Sequence, residues 1–252
     1  MLSKNQVKYL NSLRLVKFRE MNRVFLAEGI KLVDDLIDSH FRILTIFSTR
    51  EWIESRWQIL ADKNIAIQEI TSEELKKVSN LVTPNEVLAV VGIPEPSDPS
   101  PEAMGNIILL LDRVQDPGNF GTIIRTADWF GIKHIFCSEG TADLYNSKVV
   151  QATMGSICRV NVHYTDLGQL MAGMHDSRNI YGTFANGKNI YQIEPLFPAV
   201  VVIGNESKGI SEEYYPYIKE KIGIPSFSSS AESLNASVAT GIVCSEFCRR
   251  LV

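Results

Sequence analysis

The sequence predicts an α/β protein in which a parallel sheet, covered by helices on both faces, follows a smaller α/β domain. Residues 107–111 read Ile-Ile-Leu-Leu-Leu, an unbroken apolar run typical of a strand buried on both faces. From there onward, short apolar segments alternate with helical patterns, which is typical of a parallel sheet with crossover helices. The run 94–101 contains four prolines, which lack a backbone N–H and fix φ, and it predicts an extended linker.

These observations define the predicted domains and the class of protein. A small α/β sandwich occupies 1–93, a linker 94–105 and the larger domain 106–252. The chain has 252 residues, 45% hydrophobic and 21% charged, which is typical of a soluble globular protein. No apolar run approaches the roughly 20 residues that span a bilayer, and the N-terminus has no signal-peptide core. Four cysteines without a C-x-x-C pair favour reduced thiols over a disulfide framework or a metal site, and hence a cytoplasmic protein without membrane or metal partners.

The first domain is predicted to alternate helices with short strands. Its helices are expected at 3–20, 30–39, 51–62 and 72–78, and its strands at 24–27, 43–47, 66–70 and 87–93. Residues 1–31 carry seven Lys and Arg against two acidic residues, although the whole chain has a net charge of −4. A basic end on an acidic body indicates either a contact with a polyanion or a solvated helix face. The candidate RNA-binding residues are Lys8, Arg14, Lys17, Arg19 and Arg23.

The second domain is predicted to hold six strands, and its loops are where chemistry is expected. Strands are predicted at 107–111, 133–137, 160–163, 180–184, 199–203 and 221–224, with helices at 119–130, 146–154, 166–175, 211–220 and 233–250. Ligands of such sheets lie beyond the carboxyl ends of the strands. The loops that begin at Asp112, Phe184, Gly204 and Ile224 are therefore the candidates.

Two of these loops carry a charged residue that needs an explanation. Asn119 stands at a predicted helix start, where its side chain can cap free N–H groups, and Arg125 follows on an otherwise apolar helix. Arg125 requires either an anionic ligand or an acidic partner such as Glu206. Glu206 lies between Gly204 and Gly209 in a loop that lacks the Lys-Ser/Thr pair of a phosphate-binding loop. That loop is either a glycine-rich turn or part of a ligand site.

The third segment is rich in hydroxyl groups, and the three segments together resemble a known family. It runs from Ile224-Pro225 through Ser233-Leu-Asn235 into a helix of small residues. Asn-Phe-Gly-x-x-x-Arg, Gly-x-Glu-x-x-Gly and Ser-Leu-Asn-x-Ser-Val-Ala, in this order, resemble the three motifs of the SpoU/TrmH family. These proteins are RNA ribose 2′-O-methyltransferases of the SPOUT superfamily. The first domain, with Phe25-Leu-Ala-Glu-Gly29, looks like the substrate-binding domain that often precedes the catalytic one.

The resemblance implies a fold, a cofactor and a set of site residues. The second domain would be a trefoil-knotted SPOUT domain, with the knot around residues 200–240, and the protein would be a homodimer. S-adenosylmethionine would be held largely by the backbone of Thr183, Gly187, Gly204, Ile224 and Leu234. The polar residues around the reacting ribose would be Asn119, Arg125, Glu206, Ser233 and Asn235. In one departure, Ser228 stands where the family usually has glycine.

The implied reaction is methyl transfer to a ribose 2′-hydroxyl, most plainly of ribosomal RNA, with transfer RNA as the alternative. Arg125 is the family's proposed activator of that hydroxyl. Because a guanidinium has a pKa above about 12, orienting the ribose and stabilising a developing alkoxide suit it better than accepting a proton. Two other classes stay open: an inactive RNA-binding protein of the same fold, and a nucleotide-dependent enzyme that uses Gly204–Gly209 as a phosphate loop.

Overall fold

The computed structural model describes residues 1–61, 63, 65–96, 99, 101–227 and 233–251, without the side chains of 101 and 102. It divides into two compact units. The first comprises Met1–Glu95 with Asp143–Cys158, and the second comprises Pro96–Ala142 with Arg159–Val252. Ser228, the departure noted above, and parts of the predicted linker lie outside the described residues.

The first unit is built around a four-stranded mixed sheet. Its helices are α1 (Lys4–Ser12), α2 (Val16–Asn22), α3 (Ile30–Ile37), α4 (Arg50–Ala61) and α5 (Ser72–Val78), and its strands are β1 (Val24–Glu28), β2 (Ile43–Ser48), β3 (Ala66–Glu69) and β4 (Val87–Gly92). The strand order is β1-β4-β2-β3, with β4 antiparallel to both neighbours. Leu10, Leu26, Phe47, Leu75 and Leu88 lie in its core.

The rest of the chain forms the sheet of the second unit and also contains a helix, Ser147–Ala152, that belongs to the first unit. Its strands are β5 (Ile107–Leu111), β6 (His134–Cys137), β7 (Asn161–Tyr164), β8 (Asn179–Asn189), β9 (Ala199–Ile203) and β10 (Glu220–Gly223), and the helices in this stretch are α6 (Pro117–Trp129), α7 (Ser147–Ala152), α8 (Leu167–Met174) and α9 (Ala236–Arg249). The order is β10-β8-β9-β5-β6-β7, and every neighbouring pair is parallel. The predicted α/β class with a parallel sheet is confirmed, and the trefoil knot stays a prediction.

One segment that we assigned to the second domain packs with the first unit instead. Asp143–Cys158 contains α7, which lies against β1. The ring of Tyr145 packs on Phe25 with centroids 4.8 Å apart, and Asp143 forms an ion pair with Arg19. These contacts join residues more than 100 positions apart, so strand–helix alternation does not reveal them.

The prediction of one helix over 3–20 is wrong, because the helical conformation is interrupted between α1 and α2. Leu15 is extended, with φ −94° and ψ 131°. The Arg19 guanidinium donates to the carbonyls of Leu13 at 2.9 Å and Arg14 at 2.8 Å, which occupies acceptors left at the end of α1. Arg19 is 3% exposed, so its predicted contact with RNA does not fit the structure.

Three elements of the second unit differ from their predicted bounds. The helix predicted at 211–220 is a 3₁₀ helix, Glu212–Tyr217, in which Pro216 removes a backbone donor. Helix α9 begins only at Ala236, and β8 continues to Asn189 because it pairs with β10 over a longer stretch than its apolar start suggested. Among the described residues, no helix has both the length and the apolar character needed to cross a bilayer. The four cysteines are free thiols, and burial raises the pKa of Cys137.

Candidate active site

Loop segments from distant parts of the chain meet at the carboxyl edge of the second sheet. Strands β5 and β9 end side by side there, and the Asp112 N–H donates to the Ile203 carbonyl at 2.9 Å. Asn119 Nδ2 donates to Glu206 Oε1 at 3.1 Å, and Asn235 Nδ2 donates to Asn119 Oδ1 at 2.8 Å. The structure therefore places Asn119, Glu206 and Asn235, one from each predicted motif, in one hydrogen-bonded chain.

Helix caps position the two asparagines. We predicted that Asn119 caps its helix, but the N-cap of α6 is Asp116, whose Oδ1 accepts from the Asn119 N–H at 2.7 Å. The Asn119 side chain is thereby released to bond across the loops. Asn235 is the N-cap of α9 and accepts from the N–H groups of Ser237 at 3.0 Å and Val238 at 3.3 Å. Its Oδ1 therefore caps α9, while its Nδ2 donates to Asn119.

Glu206 is bound on several sides by donors. Its carboxylate accepts from the N–H groups of Gln115 at 3.4 Å and Asp116 at 3.3 Å, in addition to the Asn119 amide. These donors fix the position of the carboxylate between the first and second motif segments. Of the two alternatives for Glu206, pairing with Arg125 or binding a ligand hydroxyl, the first is not found among the described residues.

Arg125 is exposed on α6 and makes no hydrogen bond or ion pair with any residue that the structure describes. Six residues along an α-helix place it about 120° around the axis from Asn119, which is why it does not reach Glu206. Trp129, one turn further on, is 85% exposed. The acidic partner that we considered for Arg125 is therefore not found within the described residues, and its guanidinium is available to an anion.

The loop between Gly204 and Gly209 is not a phosphate cradle. Asn205 and Gly209 exchange two backbone hydrogen bonds of 3.0 and 2.9 Å, which close the loop on itself. The N–H groups of Ser207 and Lys208 donate to Asn205 Oδ1 at 3.1 and 3.0 Å. Because these donors are occupied, the loop offers little to a phosphate, and this disfavours the nucleotide-dependent alternative.

A buried carboxylate that sequence reasoning passed over holds this loop in place. Asp112 is 1% exposed, and its Oδ2 accepts from the N–H of Ser211 at 2.7 Å and from its hydroxyl at 2.5 Å. Its Oδ1 accepts from Arg113 Nε at 3.1 Å and from the Ser138 hydroxyl at 3.4 Å. Burial, with the Asp112 charge nearby, raises the pKa of Tyr214 to about 12.

The other end of the loop is tied to the same turn. Asn205 Nδ2 donates to the Arg113 carbonyl at 2.7 Å, and Arg113 has the left-handed φ of 53°. Asp112 and Arg113 thus hold Ser211, just after the loop, and Asn205, at its start. The signal for this role was the position of Asp112 directly after a buried strand, but its partner Ser211 is 99 residues away.

Only some of the polar residues in the third motif segment join the hydrogen-bonded chain at the site. Ser233 is exposed and does not join the hydrogen-bonded chain in the part of the protein that the structure describes. Ser237 does join it, because its hydroxyl donates to Asn235 Oδ1 at 2.6 Å and lies 3.4 Å from Asn119 Oδ1. We did not select Ser237, although it belongs to the third motif. Leu234 is half exposed.

The predicted cofactor residues of β8 lie where this strand departs from regular pairing. Lys221 of β10 pairs with Gly182, but the next residue, Ile222, pairs with Lys188. Residues 183–187 therefore bulge out of the sheet. The Thr183 hydroxyl donates to the carbonyl of Val202 at 2.9 Å, which anchors the start of the bulge on β9.

Backbone segments approach each other here at distances that only glycine permits. A Cβ on Gly187 would lie 2.2 Å from the carbonyl carbon of Ile222, and one on Gly204 would lie 2.3 Å from that of Gly209. Gly223, which we did not predict, has the same constraint, since its Cβ would lie 2.6 Å from the Phe184 carbonyl oxygen. The surroundings are main-chain N–H and C=O groups, which can hold a ligand with donors and acceptors.

The predicted RNA-binding residues all lie in the first unit, and four of the five are exposed: Lys8, Arg14, Lys17 and Arg23. Arg14 Nη2 donates to the Ser79 carbonyl at 3.0 Å, and Arg23 pairs with Glu95 at 3.2 Å. Arg19 is the exception described above. The exposed cations can contact a polyanion.

The fold and the site define a two-unit α/β protein whose second unit has a candidate ligand site at the edge of a parallel sheet. The chain belongs to the SpoU rRNA Methylase family, whose model matches residues 106–245. A second model, the MRM3-like substrate binding domain, matches residues 4–89. The predicted SpoU/TrmH membership is confirmed.

Two relatives have names that specify a reaction. The chain is 30% identical to the 23S rRNA (guanosine(2553)-2′-O)-methyltransferase RlmP of Bacillus subtilis, covering 96% of this chain and 95% of the relative. It is 26% identical to the 23S rRNA (uridine(2479)-2′-O)-methyltransferase of Streptomyces viridochromogenes, covering 90% of this chain and 83% of that one.

Solved structures agree over the whole length. A TrmH-family protein from Porphyromonas gingivalis superposes with a TM-score of 0.88 at 37% identity, covering 99% of both chains. The S-adenosylmethionine-bound rRNA methyltransferase of Sinorhizobium meliloti superposes with a TM-score of 0.87 at 28% identity, covering 100% of this chain and 97% of that one.

Proposed function

We propose that this protein transfers a methyl group from S-adenosylmethionine to a ribose 2′-hydroxyl of ribosomal RNA. The observation that carries the proposal is the hydrogen-bonded chain Glu206–Asn119–Asn235, which joins the three motif segments. It lies beside loops whose backbones approach each other so closely that only glycine fits between them. The rRNA 2′-O-methyltransferases among its relatives support the reaction and the substrate class.

The residues present fit S-adenosylmethionine. The glycine-lined backbone at Gly187, Gly204 and Gly223 leaves no room for a side chain, and its polar main-chain groups can bind an adenosine and an amino-acid moiety. The backbone of Thr183, Gly187, Gly204, Ile224 and Leu234 would hold the cofactor. When bound, it supplies an electrophilic methyl group on a cationic sulfur.

The chain's own residues then have to orient the ribose while its 2′-oxygen takes the methyl group and its hydroxyl proton passes to solvent. Arg125 has no partner among the described residues and can bind a substrate phosphate beside the ribose, where its charge stabilises the alkoxide as it develops. Asn119, held at both ends of its amide by Glu206 and Asn235, presents a fixed polar group next to the cofactor loops. Ser233, exposed in the third loop, would shape that loop around the ribose.

The test is methyl transfer from radiolabelled S-adenosylmethionine to the ribosomal and transfer RNA of cells that lack this protein, followed by mapping of 2′-O-methyl positions. We expect one or a few ribosomal positions to gain a label. Labelling of transfer RNA alone would show that the substrate is transfer RNA and not ribosomal RNA. Failure to bind S-adenosylmethionine in calorimetry would contradict the proposal and favour an inactive RNA-binding protein.

The exposed cations Lys8, Arg14, Lys17 and Arg23 of the first unit are proposed to bind the RNA backbone. Replacing Lys8, Arg14 and Lys17 together with alanine should weaken rRNA binding and reduce the log–log salt slope by about two to three units. Filter binding over a series of salt concentrations measures both quantities. If the affinity does not change, these side chains form only a solvated face.

We also propose that the protein is a cytoplasmic homodimer. Trp129 is 85% exposed on α6, and Leu234 before α9 and Val238 in its first turn are each 51% exposed, which is apolar surface that a second copy would cover. Arg125 shares the α6 face with Trp129, so dimerisation would bring it toward the other copy's site.

Trp129→Glu should shift the sedimenting species from two chains to one, whereas Trp57→Glu, at a 66% exposed tryptophan of α4, should not. A wild-type monomer at micromolar concentration would contradict the proposal.

A further inference from the structure

A buried carboxylate of the first unit shapes an exposed loop that no part of the reaction has used. Glu28, the last residue of β1, is 6% exposed. Its carboxylate accepts from the Ser79 hydroxyl at 2.6 Å, from the Asn80 N–H at 2.9 Å and from Asn80 Nδ2 at 2.9 Å. A buried charge is costly unless it is hydrogen-bonded, and here all the bonds go to the start of the loop 80–86.

Further bonds fix both ends of this loop. The Ser79 hydroxyl accepts from the Leu81 N–H at 3.0 Å, and at the other end the Thr49 N–H donates to the Glu86 carbonyl at 2.9 Å. Between these anchors the chain is exposed, and Val82 is fully exposed. The loop therefore presents a preformed tip, which lowers the entropy that a partner would have to offset on binding.

The surroundings of this tip are cationic. Lys76 and Lys77 stand in the last turn of α5, directly before the loop, and both are exposed. Arg14 reaches the same place from α1, since its Nη2 donates to the Ser79 carbonyl at 3.0 Å. From residue 75 to residue 85 the sequence contains no Asp or Glu, and the one carboxylate of the loop itself is Glu86 at its far end. Exposed cations beside an ordered loop suit a phosphodiester backbone whose bases or riboses face the tip.

We propose that the loop 80–86, with Arg14, Lys76 and Lys77, is an RNA-contacting surface of the first unit, and that Glu28 is the residue that positions it. The proposal rests on the proposed function, because it takes RNA as the partner. Asn85 and Thr83 supply hydrogen-bonding groups at the tip, and Val82 supplies an apolar contact for a base or a ribose.

The experiment uses the full chain and total ribosomal RNA from cells that lack the protein. Lys77→Ala should raise the Kd for this RNA about tenfold, as expected for one lost charge-assisted contact, and lower the salt slope by about one unit. Val82→Asp should weaken binding to a similar extent, because it places a negative charge at the tip. The matched controls are Arg42→Ala, an exposed cation next to the opposite end of β4, and Ile59→Asp, a half-exposed apolar residue of α4.

Glu28→Gln tests the positioning role. We expect a raised KM for RNA, with kcat at saturating RNA and the Kd for S-adenosylmethionine unchanged, a split that general destabilisation would not produce. If Glu28→Gln fails to fold, the Lys77 and Val82 variants decide on their own. RNA binding that stays equal to that of the two controls would overturn the proposal. A wild-type protein that neither binds nor methylates the RNA would contradict the proposed function instead, and this is established before any variant is compared.

Discussion

Replacing Arg125 with alanine is expected to lower the rate of methyl transfer by about 10²–10³-fold, the effect typical of removing one group that stabilises developing charge. The free energy of unfolding should change by less than about 0.5 kcal/mol, because the side chain is exposed and has no partner among the described residues. Single-turnover kinetics with radiolabelled S-adenosylmethionine measures the rate, and thermal unfolding measures the stability.

Two further variants make the Arg125 result specific. Arg125→Lys keeps the charge but loses the planar pair of donors, so it should recover only part of the rate. Lys133→Ala removes one exposed cation at the amino end of β6, the edge of the sheet opposite the site, and should leave turnover unchanged. An Arg125→Ala enzyme with wild-type turnover would rule out the assigned role.

The sequence predicts the sheet and the approximate position of the site because those features have local signals. Apolar runs mark β5 and β9, and parallel strands place the ends of both runs at one edge. The loops after Asp112, Gly204 and Ile224 could therefore be expected to meet. Asn119, Glu206 and Asn235 do meet, as the motif order implied.

Other features could not be predicted, because they depend on contacts between distant parts of the sequence. The sequence pattern treats Arg19 as one more surface cation. The side chain is buried because it bonds to carbonyls where α1 ends and to Asp143, which is 124 residues away. The Asp112–Ser211 contact is hidden for the same reason. The alternative in which Arg125 pairs with Glu206 is a different case, because helix geometry alone, which sets Arg125 about 120° from Asn119, argues against it.

The glycine at position 204 is the second residue whose replacement should have a large effect. A Cβ there would lie 2.3 Å from the Gly209 carbonyl carbon and 2.4 Å from the Ile210 nitrogen, both backbone atoms that cannot turn aside. Gly204→Ala must therefore open the loop that carries Glu206. Overpacking of this kind costs about 1–3 kcal/mol of stability.

The consequence for function should exceed that for stability. Opening the loop moves Glu206 away from Asn119 and disturbs the backbone proposed to hold S-adenosylmethionine, so calorimetry should show a cofactor Kd raised by at least about tenfold, equivalent to 1.4 kcal/mol. The matched control is Gly173→Ala in α8, where a Cβ meets nothing within 4 Å and alanine favours the helix by about 0.5–1 kcal/mol. That variant should bind the cofactor normally. If Gly204→Ala also binds it with wild-type affinity, the close approach of these segments serves folding alone and the cofactor lies elsewhere.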